Sequence, residues 1–301
     1  MTGWPLIAAR LALYGDLGLL FGLPLFTLYA RSALTPRGTA GLFAALSAGG
    51  LLLAPLGFAL LVAQMGGTTL GQLDPALAWT LLGQTAVGAA FALRMAALLL
   101  ALVLALFLPS RRGMSWSLML CGGLALATLA WSGHGAANEG MAGLLHLGAD
   151  IVHLLAAAAW IGALVMLLML VAPRGPVTHQ RVAAAHAALS GFSTIGTIIV
   201  ALIAATGIAN LLFIVGLAGI PALPGSPYGQ LLLLKLLAFI AMLGCAGLNR
   251  FRLTPRLAAA QSAESAADAL ASLRRSIAIE ALLAALAIAL VAWLGTLQPP
   301  G

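Results

Sequence analysis

Charge is what this 301-residue chain has least of: only 7% of its residues are Asp, Glu, Lys or Arg, against roughly 25% in a soluble domain. No polar stretch is long enough to fold alone, which excludes a separate soluble domain. Cysteine is nearly absent as well. Cys121 and Cys245 both fall inside hydrophobic runs, so no disulfide framework is expected. Acidic residues number 7 against 14 Lys and Arg. The isoelectric point near 10.7 invites a nucleic-acid reading, but the placement of the basic residues gives a better one. Apolar residues make up 62% of the chain and the mean hydropathy is +1.10. The apolar runs are continuous and near 20 residues, which predicts an all-α polytopic membrane bundle and excludes a β-barrel of short alternating segments.

Eight spans are expected: 4–30, 41–64, 79–108, 115–132, 144–171, 191–217, 229–249 and 275–297. Met1 to Pro5 carries no Lys or Arg and the first run is too long for a signal core, so it reads as a first spanning helix. Of the 14 Lys and Arg, only Arg10, Arg94 and Lys235 lie within spans. Arg31, Arg37, Arg111, Arg112, Arg174, Arg181, Arg250, Arg252, Arg256, Arg274 and Arg275 all fall on alternate connections or at their edges, while 65–78, 133–143 and 218–228 have none. The arginine-rich face is therefore expected in the cytoplasm, with both termini periplasmic. The long connection 250–274 reads as a cytoplasmic helix running into span eight.

The fifth span holds the most telling residues. His146, Asp150 and His153 fall within roughly 40–60° of one another on a helix, as one stripe two turns tall. Ionisable groups at membrane depth are costly, so the stripe should face protein or a wet cavity. Imidazole and carboxylate are metal ligands. His146 and His153 are roughly 10 Å apart along the axis, so neighbouring pairs sharing Asp150, or completion by His134 from the preceding external segment, are the expected metal arrangements. Asp150 can instead orient an imidazole through its ring N–H. Arg10, Asp16, Arg94, Asn210 and Lys235 are the other buried polar groups, expected either as charge pairs that lock helix packing or as the wall of a polar pathway. Cys121, Cys245, Asn249 and Glu280 lie in the inner half. Haem b between histidines is the rival cofactor, but both histidines within spans are on one helix, and His179 and His186 fall on a cytoplasmic connection. Neither an enzymatic nucleophile motif nor a nucleotide-binding motif is present, so no enzyme is expected.

These motifs match a family. The stretch HLGADIVHLLAAAAWIGAL from His146 to Leu164 resembles the copper resistance D family of bacterial inner-membrane proteins. So do FSTIGTIIVALIAATGIAN from Phe192, YGQLLLLKLLAFIAMLGCAGLNRFRLTPRL from Tyr228 and RSIAIEALLAALAIALVAWLGTLQP from Arg275. The resemblance is most specific from His134 onward; the first four spans share topology and buried arginine. It implies eight spans, a bacterial inner membrane and copper homeostasis, with copper bound on the periplasmic side and moved across. It also implies a periplasmic copper chaperone as partner, since some members carry that domain fused and this chain does not. A membrane docking partner of such a chaperone, conducting no ion, is the third reading. Ala163 departs from the family pattern, which has a second glycine after Trp160-Ile161-Gly162, and this weakens the expectation of close helix packing there.

Overall fold

A computed structural model describes residues 3–30, 39–108, 111–132, 140–173 and 177–300. Its helices are α1 (Trp4–Tyr29), α2 (Thr39–Met65), α3 (Pro75–Gln84), α4 (Ala86–Phe107), α5 (Arg111–Ala127), α6 (Gly140–Val171), α7 (His179–Ile214), α8 (Gly216–Gly219), α9 (Pro227–Leu248), α10 (Thr254–Ala258) and α11 (Ala263–Leu294). No strand occurs among the described residues. Eight helices are long and apolar enough to cross a membrane: α1, α2, α4, α5 with the 3-10 turn after it, α6, α7, α9 continued into α10, and α11. This agrees with the expected count.

Helix starts follow local chemistry. Thr85, Thr178, Ser226 and Ser262 each accept a backbone N–H from the first turn of α4, α7, α9 and α11. These side chains satisfy donors that a helix leaves orphaned. Thr85 also corrects the third span, expected to run from residue 79. The chain turns extended at Thr85, so α3 is a separate helix and the crossing starts at Ala86. α7 reaches further than hydropathy suggested, starting at His179, twelve residues before the apolar run. α11 starts at Ala263, so the connection runs as a helix into span eight, as expected. Between α9 and α10 the chain widens into a π-turn over Asn249–Leu253.

α1 is the hub, packing against α2, α5, α6 and α11. Where it crosses α6 the backbones nearly touch: a Cβ added to Gly162 would lie 2.3 Å from the Gly22 carbonyl carbon, and one added to Gly22 would lie 2.2 Å from the Ala158 oxygen. Close approach of small residues is how helices associate where lipid removes the hydrophobic drive. The family-pattern departure at Ala163 does not loosen this contact. Ala163 is fully buried, and Gly162 with Gly22 permits the crossing. Pro24 inside α1 cannot donate to the turn before it. Gly122 of α5 packs at that turn, where a Cβ would come within 2.8 Å of Leu20 oxygen.

Both ends of the chain meet at one end of the bundle. Trp4 packs on Trp293 at 5.2 Å between ring centroids, and Arg10 donates to the Gly295 carbonyl. An even number of crossings requires this. α7 and α9 form the outer flank, with Ile198, Ile208, Leu237 and Ile240 exposed to the surroundings. Apolar surface of this extent on a helical bundle is the surface of a multi-pass membrane protein.

Candidate functional site

The stripe on α6 faces α7 in antiparallel register. His146 stacks on Phe213 at 5.1 Å and 16° between planes. One turn on, Asn210 Nδ2 donates to Asp150 Oδ1 at 3.2 Å. One more turn brings His153 Nδ1 to 3.0 Å from Thr206 Oγ1, with the bare Gly207 backbone alongside. Three successive turns of one helix thus meet three of the other. His146 is buried at 1% exposure, while Asp150 and His153 are half-buried.

Thr206 Oγ1 also lies 2.5 Å from the Leu202 carbonyl, to which it donates. In the Nδ1–H tautomer of His153 the same oxygen accepts from the ring, which satisfies both groups. The Nε2 lone pair is left for a ligand, the arrangement in which an outer partner orients a metal-binding imidazole. Asp150 has one oxygen engaged by Asn210. Lys235 on α9 interacts electrostatically with both Asp150 and His153, without closing to 4 Å of the carboxylate. The seam therefore joins α6, α7 and α9.

The remaining expected residues separate from it. Arg94 donates Nε to Thr128 Oγ1 at 2.8 Å and Nη2 to the Thr128 carbonyl at 3.1 Å. Arg10 donates to the carbonyls of Gly295 and Ser132. Both arginines thus meet neutral oxygens rather than carboxylates. Asp16 turns toward α2, against the backbone of Gly49 and Gly50, with Oδ2 buried and without a hydrogen bond. His134 lies outside the described residues. Among the described residues, no three His, Cys, Asp or Glu side chains gather as a metal-holding group. Nor does a histidine face His146 or His153 from α7, where the opposing positions are Phe213, Asn210 and Thr206.

A second polar cluster lies further along the same stripe. Seven residues past His153, within about 20° of it on the helix, Trp160 Nε1 donates to Glu280 Oε1 at 2.7 Å. Asn249, the first residue of the π-turn, donates Nδ2 to Glu280 Oε2 at 3.1 Å. Both carboxylate oxygens are clamped, and Glu280 is 2% exposed. Phe239 packs edge-on to Trp160 at 5.9 Å, one turn along α9 from Lys235. The sequence offered Glu280 and Asn249 only as isolated inner-half polar groups. The signal for their partner was Trp160 itself, since a buried indole N–H needs an acceptor.

The fold and its polar seam define a multi-pass helical membrane protein with ionisable chemistry held between spans. Comparison with known proteins narrows this. Residues 1–144 match the family model for the copper resistance protein D-like N-terminal domain, and residues 186–294 match that for copper resistance protein D. The chain is 42% identical over 300 residues to copper resistance protein D of Pseudomonas syringae pv. tomato, covering 97% of this chain and 96% of that one. The chain belongs to the copper resistance protein D family. Its first half shares more than topology with that family, since it matches a model of its own. No solved structure matches the chain.

Proposed function

We propose that this chain serves copper resistance as a multi-pass protein of a bacterial inner membrane, receiving copper on the periplasmic side and passing it across. The observation that carries the reading is the seam of His146, Asp150 and His153 against α7, in a chain whose relative is named for copper resistance. Imidazole nitrogen suits copper, and a carboxylate adds charge that favours a cation. His153 offers Nε2 with its ring held by Thr206, and Asp150 offers the oxygen that Asn210 does not engage. His134, in the external connection, supplies a third imidazole. Asn210 and Lys235 shape the path within the seam itself, with Arg94 set apart against Thr128.

The arginine-rich end is cytoplasmic in this reading, because basic connections stay on that side. The seam then lies toward the periplasm, where a soluble copper chaperone delivers the ion. Flow is downhill or coupled to protons, since the chain carries no nucleotide-binding motif. The test is metal content of the detergent-purified protein beside the His146→Ala/His153→Ala variant. Copper near one equivalent, lost in the double variant, supports the seam as the binding site. Equal copper in both proteins, with both folded, overturns the assignment.

A further inference from the structure

We propose that a small inorganic anion, with chloride as the physiological species, binds between Arg10 and Arg94 in the cavity between α1, α2 and α4. The cavity measures about 50 Å³ and is bordered by Arg10, Tyr14, Phe58, Phe91, Arg94 and Ser132. Arg94 is 5% exposed and donates only to Thr128, a neutral partner. Arg10 likewise donates to two backbone carbonyls. Among the described residues, no carboxylate comes within 4 Å of either guanidinium. Asp16 is turned away against Gly49 and Gly50, Asp150 is engaged by Asn210, and Glu280 is clamped by Trp160 and Asn249.

The two arginines differ in kind from the other buried charges. A buried Asp, Glu or Lys becomes neutral by gaining or losing a proton. A guanidinium keeps its charge at any physiological pH. Two positive charges face one cavity on which, among the described residues, no carboxylate lies, and an anion that enters would offset them. Tyr14 borders the same cavity and interacts electrostatically with Arg10, with Asp150 of α6 and with Arg94, and its phenol can turn a third donor toward an anion. The stacked rings of Phe58 and Phe91, 4.7 Å apart, form a dry wall. The volume accommodates a monatomic anion with a water or two.

The experiment uses the whole purified protein without copper, so its outcome is independent of the copper reading. Thermal melting is followed in chloride, bromide and gluconate at matched ionic strength, and ³⁵Cl line broadening is titrated on the same protein. Chloride and bromide should raise the melting temperature saturably over gluconate, with bromide displacing the chloride broadening. Arg10→Gln should weaken halide binding about tenfold, and Arg10→Gln/Arg94→Gln should abolish the halide-dependent shift. Equal melting in all three anions with no saturable broadening overturns the site. So does a halide shift that survives in the folded double variant. Should the double variant fail to fold, displaceable broadening of the parent decides in favour and its absence decides against.

Discussion

Two faces of α6 obey opposite rules. Toward α1 the helix presents Ala158, Gly162 and Ala163, with no polar side chain, and the backbones close to contact. Toward α7, α9 and α11 it presents His146, Asp150, His153 and Trp160, each met by a specific group of the facing helix. The first face has shape and no chemistry. The second has chemistry, with Asp150 and His153 only half-buried between the buried His146 and Trp160. The contrast shows how one helix is anchored in place while its other side stays open to a ligand. Catalytic and binding groups need rigid support, and here the support is the glycine crossing on the opposite face, level with Trp160 and further along the helix from His153.

The largest expected effect falls on the dry face. Gly162→Leu drives a branched side chain into the Gly22 backbone, where even a Cβ finds only 2.3 Å. Loss of folded protein is expected, read as aggregation on size-exclusion chromatography, because the obstacle is backbone that cannot change rotamer. A monodisperse, normally melting Gly162→Leu protein would break the comparison.

On the polar face the effects are graded. Glu280→Ala leaves the Trp160 and Asn249 donors buried without acceptors, at roughly 1–3 kcal/mol each. Glu280→Gln keeps one acceptor oxygen and should destabilise less. Chemical denaturation of the two variants, followed by tryptophan fluorescence, should rank them in that order. Asn210→Leu should cost only about 0.6 kcal/mol, the usual worth of a side-chain hydrogen bond between membrane helices. Its copper affinity should nonetheless drop by roughly tenfold or more, as for other groups that orient a ligand. A variant that loses stability and keeps its copper would turn the polar face into a second packing surface. The smallest effect belongs to Thr206→Val. It removes the acceptor that holds His153 Nδ1–H, with a stability change of about 0.6 kcal/mol. Its sharper readout is the ¹⁵N imidazole spectrum, where the Nδ1–H tautomer should give way to a mixture.

The same contrast separates what was legible in the sequence from what was not. The eight crossings and the His146–Asp150–His153 stripe follow from composition and helical periodicity, because both are properties of one helix at a time. The partners were hidden because they depend on register between helices. Nothing local to Asn210 or Thr206 says that α7 runs antiparallel to α6 with these residues opposite the stripe. Trp160 stood in the sequence only as part of the family pattern, although its N–H required an acceptor, which α11 supplies. The break at Thr85 was missed because hydropathy stays high across it, while the cap that stops one helix and starts the next is a single hydroxyl. Charge counting did anticipate that the buried bases outnumber nearby carboxylates. It gave no hint that Arg10 and Arg94 would turn to carbonyl and hydroxyl oxygens.

The contact between Arg10 and the Gly295 carbonyl also orders the molecule in time. The donor and its acceptor are separated by 285 positions. At about 5–20 residues per second of synthesis, the guanidinium waits on the order of 15–60 s after entering the bilayer before this acceptor exists. Until then the Ser132 carbonyl is its other acceptor, 122 positions away. The last helix supplies the second, so the first span is tied down only when α11 is in place.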